Sequence, residues 1–282
     1  MDSALVHRCH YALEPIAVFS FIAPETGEYL VKTGLRPGRM CLLAGRAVPL
    51  GRAGAALVTA TFYSTAPSLI AKYFPSTWAL ADPAEVLAAR FAAADIAFRR
   101  VLGPEIIESP ELAELAELAR AAAEAGSPAG RPLYAAYADV EWPAEPHLVL
   151  WHAAATLREH RGDGHVASLL NAELSGLAAS ITHAGAGTGY PSDLIRRNRG
   201  WSEQQWAEGI ADLADQGIVD ADGQLTVTGT ALRQQIEADT DRLATGPWAH
   251  LGADRTQRVL DLAAPIRAAV LATGLFPPGM FD

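Results

Sequence analysis

Helix starts are spelled out in this chain. Asp82-Pro83-Ala84-Glu85 sets a capping carboxylate, a proline at the first helical position and an acidic first turn in succession, and Ser109-Pro110-Glu111 repeats the device. The stretches behind them are dominated by alanine and leucine, which lose little freedom in a helix, while β-branched and aromatic residues are too sparse for a large sheet. A chain punctuated in this way is confined to many short and medium helices packed on one another. The expected fold class is mainly α, a multi-helix two-half architecture.

The same signals place the individual elements. Helical spacing runs from Ala4 to Phe21, interrupted by Pro15, and resumes at Pro24 with Glu25 in its first turn. Short helices are expected near Met40 to Val48, before a turn at Pro49-Leu50-Gly51, then over Gly54 to Ser64 and Pro67 to Tyr73. Long ones follow from Asp82 to about Leu102 and from Leu112 to Ala125. Pro128, Gly130, Pro132, Pro143 and Pro146 make 127–145 the expected linker between halves 1–126 and 146–282, with room for a short helix at Leu133 to Val140. The second half opens with a helix from Pro146 that Gly162 and Gly164 should break or kink, followed by helices at His165 to Leu174 and Ser175 to His183. The glycine-rich run Gly185 to Gly189 lacks the preceding strand and the lysine of a phosphate loop. Pro67-Ser68-Leu69-Ile70 with Trp78, and Pro191-Ser192-Asp193-Leu194-Ile195 with Trp201, suggest an internal repeat.

Charge and cysteine usage narrow the partners. With 22 basic against 32 acidic side chains the net charge is −10, which repels nucleic acid and anionic membranes. Cys9 and Cys41 are too few for a disulfide framework or a zinc knuckle and fit a reducing cytoplasm. No run reaches the roughly 20 apolar residues of a membrane span, and no secretory leader pattern opens the sequence. A soluble, cytoplasmic protein with no membrane partner is expected.

Residues 190–243 read as a degenerate winged helix-turn-helix. A short helix over Pro191 to Asn198 and a turn at Gly200-Trp201 precede a second helix, capped by Ser202 and reaching Gln216. Ile218-Val219-Asp220 and Leu225-Thr226-Val227 then flank Ala221-Asp222-Gly223 as a small β-hairpin wing, before a last helix through Leu243. The run Leu213 to Val219 followed by Leu225 to Gly229 resembles the MarR family of transcription regulators over about a fifth of the chain. The resemblance implies DNA binding through the second helix and the wing. That helix, however, carries Glu203, Glu208, Asp212 and Asp215 with no basic residue, and the wing carries Asp220 and Asp222. Arg196, Arg197 and Arg199 are the nearby basic cluster, and six carboxylates outweigh them, so the charge argues against DNA as partner. At whole-chain level, Arg46 to Gly51, Phe62 to Pro67 and Glu159 to His165, with the winged region, resemble a family of actinobacterial helix-turn-helix proteins. This likeness spans nearly the full chain and implies a fold without a particular activity.

The densest polar chemistry lies between His152 and His165. On a helix, His152, Thr156, Glu159 and Asp163 share one side, with His160 beside it. Three roles suit the cluster. His160 or His165, oriented by Asp163 or Glu159, could perform general acid–base chemistry. Mixed histidine and carboxylate ligands suit a metal, but the helical His-x-x-x-His pair is missing, so no metal site is assigned. Arg158, Glu159, Arg161 and Asp163 could instead pair with each other as a structural junction. The leading expectation is binding of a small organic molecule in a largely apolar interhelical pocket. Arg46, Phe62, Tyr63, Trp151, His152 and Arg161 would line it, with His160, Asp163, His165 and Glu159 as the reactive set. The alternatives are an enzyme acting on a small organic substrate and a MarR-like regulator. No cofactor is implied by any motif, and the helices Thr230 to Leu243 and Asp254 to Thr273 offer surfaces for a homodimer.

Overall fold

The computed structural model describes residues 1–74, 76–187, 191–277 and 280–281. Thr188 and Gly189 of the glycine-rich run, and Tyr190 at the start of the winged region, lie outside the described residues. The described chain is mainly α. The first helices are α1 (Ser3–Ile22), α2 (Pro24–Lys32), α3 (Arg39–Ala47), α4 (Ala55–Thr61), α5 (Pro67–Tyr73) and α6 (Ser76–Leu80). Longer ones follow: α7 (Pro83–Ile107), α8 (Pro110–Glu124), α9 (Pro132–Ala138) and α10 (Pro146–Asn171). The remainder is α11 (Gly176–Gly185), α12 (Ser192–Arg199), α13 (Glu203–Asp215), α14 (Val227–Leu243), α15 (Thr245–Leu251) and α16 (Ala253–Leu271).

The start signals are realised as read. Asp82 Oδ1 accepts from Ala84 N at 2.8 Å, and Ser109 Oγ from Leu112 N at 3.1 Å. Ser202 closes a reciprocal capping box with Gln205, both bonds at 3.1 Å. Two expected breaks do not occur. Pro15 lies inside α1, which continues through it because Leu13, Ile16 and Ala17 around it are all buried. Gly162 and Gly164 lie inside α10, where the buried and partnered Glu159, Arg161 and Asp163 outweigh a glycine penalty of about 1 kcal/mol. The kink falls instead at Gly103 of α7, whose φ of 71° no helix accommodates.

The chain forms two compact units, each assembled from discontinuous stretches. Unit 1 gathers α1 to α3, α6 to α9, α10 as far as Asp163, and α15 and α16; unit 2 gathers α4, α5, α10 from Gly164, α11 to α13, and α14 as far as Thr240. The proline-rich stretch 127–145 contains α9, which buries Leu133, Tyr134 and Tyr137 within unit 1. Its prolines begin helices: Pro132 opens α9 and Pro146 opens α10. In unit 1, α16 buries Val259, Ala263, Ile266 and Val270 in the same core as Val6, Cys9, Leu13 and Ile16 of α1. That face of α16, one of the helices expected to offer a dimer surface, is covered by its own chain.

Unit 2 has a smaller core of Leu169, Leu174, Ile181, Ile195, Trp206, Leu213 and Ile236. The two segments that suggested a repeat meet here. Ala66 N donates to Arg199 O at 2.8 Å, and Trp201 Nε1 donates to Ser64 O at 3.1 Å. Gly200, at φ 79°, ends α12 in the left-handed conformation, and a Cβ there would sit 2.7 Å from the Leu69 side chain. The expected β-hairpin wing is not formed. Among the described residues Val219 and Leu225 make an isolated bridge without strands: Asp220 N donates to Gln224 O at 2.8 Å and Thr226 N to Ile218 O at 3.1 Å, but α14 takes up the chain from Val227 and the pairing stops there.

Candidate functional site

The polar residues of α10 enter unit 1 as an ionic layer. Glu159 is 1% exposed and accepts from Arg46 Nε at 3.0 Å, Arg46 Nη2 at 2.8 Å and Arg158 Nη1 at 2.9 Å. Burial pushes its carboxyl upward, yet Arg46 and then Arg158 outweigh that and hold it at about 2. Arg158 also donates to Glu14 of α1 at 2.9 Å, and Arg161 donates to Asp241 at 2.8 Å. Glu159 and Arg161 are therefore both engaged in ion pairs, Glu159 with Arg46 and Arg158 and Arg161 with Asp241.

Asp163 and His160 do not form an acid–base pair. Asp163 Oδ2 accepts from Tyr134 N at 2.9 Å, so it caps the start of α9, where backbone donors are otherwise open. Its burial raises the carboxyl to about 6, against the lowering effect of that backbone bond. His160 is pushed down to about 4 by burial and by the Arg131 charge, and its ring meets Tyr134 edge-on at 4.9 Å. It is a neutral ring lining a cavity of about 20 Å³ with His10, Glu14, Arg161 and Trp248. Such a space admits one water and is far below the roughly 300 Å³ of a small-molecule pocket, so among the described residues the cavity beside His160 is not of ligand size.

His165, Phe62 and Tyr63 belong to unit 2. His165 Nδ1 lies 2.9 Å from Thr240 Oγ1 and 3.9 Å from Glu237. Phe62 is buried, and Tyr63 donates its hydroxyl to Leu174 O at 2.6 Å, a tie between the segments that follow α4 and α10.

A second cluster in unit 1 includes the expected Trp151 and His152 and adds residues that sequence reasoning misses. Arg90 of α7, 3% exposed, stacks over Trp151, Tyr137 and Phe21 with its guanidinium carbon 4.9, 5.1 and 5.2 Å from the ring centroids. His152 lies 4.8 Å from Trp142, 5.7 Å from Phe91 and 6.4 Å from Tyr137, ring to ring. Burial and then the Arg90 charge depress His152 to about 3, against a hydrogen bond to the Tyr137 backbone, so the ring is neutral. Arg90 Nε and Nη2, Trp151 Nε1 and His152 Nε2 are buried and have no hydrogen-bond partner among the described residues. The signal that could have found Arg90 is helical spacing: Val86, Arg90, Ala93, Ala94 and Ala97 share the buried stripe of α7, with Arg90 its one charged member.

In unit 2, where the helix-turn-helix is expected, α13 exposes Glu203, Gln204, Glu208, Asp212 and Asp215. The basic end of α12 is locally engaged: Arg196 reaches Asp193 at 2.6 Å and Glu203 at 3.3 Å, and Arg197 reaches Asp193 at 2.7 Å. Among the described residues no group of three histidine, cysteine or carboxylate side chains comes together as a metal site, and no single helix is long and apolar enough to cross a membrane.

The model of a helix-turn-helix family matches residues 6–277. No curated protein and no solved structure matches the chain.

Proposed function

Because the chain belongs to this helix-turn-helix family, we propose that it is a regulator-like protein whose helical unit 1 binds a small organic molecule. The observation that carries this reading is the Arg90, Trp151 and His152 cluster, whose four buried polar atoms have no partner among the described residues. Buried polar groups in native proteins are almost always hydrogen-bonded, and several neighbouring exceptions point to a bound molecule. This cluster retains Trp151 and His152 of the expected lining and sets Arg90 beside them.

Native mass spectrometry of the gently desalted protein tests the reading. A co-purifying species, released on denaturation and raising the thermal midpoint when added back, is the expected result. A protein that carries nothing and is stabilised by nothing in a metabolite library refutes it.

A second reading, DNA binding, is favoured by the family match itself. Against it stand the exposed carboxylates of α13 and the local pairing of Arg196 and Arg197. A gel-shift titration with mixed-sequence duplex at low and moderate salt separates the two. The charge argument predicts no retention, whereas binding that weakens steeply with salt would establish the DNA reading.

A further inference from the structure

We propose that Arg90 is the anchor for the carboxylate of a small hydroxylated organic acid, seated against Trp151 and His152. The inference rests on the small-molecule reading above and specifies its ligand. Three other arginines of this chain show what the open edge of Arg90 is shaped for. Arg46 grips Glu159, Arg100 grips Glu25 and Arg258 grips Glu114, each through Nε and Nη2 to both carboxylate oxygens. In Arg90 those same two atoms are buried and have no partner among the described residues. A planar fork of this kind matches a carboxylate in two parallel bonds.

Arg90 also lies within electrostatic reach of Glu159, whose own bonds go to Arg46 and Arg158, so that carboxylate leaves the open edge of Arg90 unused. Trp151 Nε1 adds a further donor. His152 supplies an acceptor: Nε2 is the unpartnered nitrogen, so Nδ1 carries the proton given to the Tyr137 carbonyl, and Nε2 presents a lone pair. One hydroxyl on the acid satisfies it. Phe91 and Trp142, both only half-buried, form the outer wall and set the cluster one aromatic layer below the surface.

The test uses the full chain with ¹⁵N-labelled tryptophan, the Trp151 indole N–H being assigned by Trp151→Phe. Lactate, propionate and lactamide are titrated at constant ionic strength against sodium chloride. Lactate is expected to move the Trp151 signal saturably and propionate to bind about threefold or more weaker for want of the hydroxyl. Lactamide, which lacks the charge, and chloride are expected to leave the signal in place. Arg90→Met should abolish the shift, Arg90→Lys should weaken binding at least about tenfold, and His152→Phe should erase the preference for lactate over propionate. No shift with either acid up to about 50 mM, an equal shift with lactamide, or binding indifferent to Arg90→Lys overturns the proposal. Should Arg90→Met not fold, the lysine variant and the lactate and lactamide comparison decide alone. A neutral co-purifying molecule retained by Arg90→Lys sinks this inference and leaves the small-molecule reading standing, whereas an Arg90-dependent acid supports both.

Discussion

Replacing Glu159 by glutamine removes the anion on which Arg46 and Arg158 converge. The carboxyl is held at about 2 against an ordinary 4.5, and each tenfold loss of proton affinity corresponds to about 1.4 kcal/mol, so the guanidinium groups stabilise its charged form by about 3 kcal/mol. That agrees with the roughly 3–5 kcal/mol lost when one partner of a buried ion pair is deleted. The expected outcome is a loss of about 3 kcal/mol at pH 7. Urea unfolding followed by indole fluorescence reads it, since Trp78, Trp142, Trp151 and Trp248 lie in unit 1. A depressed carboxyl contributes stability that is present above its unfolded value and lost as the pH falls through its folded value. The gap between wild type and Glu159→Gln should therefore narrow as the pH falls from 4.5 toward 2. A double variant with Arg46→Met should recover part of the loss, because the stranded cation goes with the anion. A cost under about 1 kcal/mol at pH 7, or one constant across the acid range, would refute the view that this layer is held by charge.

Asp163 runs in the opposite sense: its folded carboxyl is raised from 3.8 to about 6, so it costs stability as the pH rises through that window. Asp163→Asn, which keeps an oxygen for Tyr134 N, should match wild type near pH 4 and exceed it by up to about 3 kcal/mol above pH 7 in paired urea titrations. A Cβ on Gly176 would lie 2.1 Å from the Tyr63 carbonyl oxygen, so Gly176→Ala should cost unit 2 about 1–3 kcal/mol. Gly246→Ala, with open space around it, should cost nothing, and equal melting curves for the two would contradict the packing described. Cys9 and Cys41 are both buried, and burial pushes the Cys9 thiol up to about 12 and raises Cys41 as well. Thiol labelling of the native protein should therefore track unfolding, with both sites reacting promptly only in denaturant.

Local chemistry is legible in the sequence and long-range pairing is not. The caps at Asp82, Ser109 and Ser202 act over three residues, so their helices can be read directly. Gly162 and Gly164 mislead because what carries α10 through them comes from elsewhere: Arg46 on α3, Tyr134 on α9 and Asp241 on α14. Density of polar residues draws attention to His160, which proves to be a neutral ring beside a water-sized space. Arg90 is inconspicuous because a lone arginine among alanines reads as solvated until the helical stripe is drawn. Within the proline-rich 127–145 the short helix expected at Leu133 to Val140 is present as α9, opened by Pro132.

The packing of α1 against α16 bears on how the chain is made. Cys9 Sγ of α1 meets Thr256 O at 4.0 Å, and Arg8 reaches Gln257 at 3.4 Å, across sequence separations of 247 and 249 residues. At ribosomal speeds α1 waits about 10–50 seconds for α16 to be synthesised. During that interval Val6, Leu13 and Ile16 have no α16 to cover them. A chain that stopped before Ala253 would thus leave that face of α1 bare, and the nascent chain needs shielding until α16 emerges.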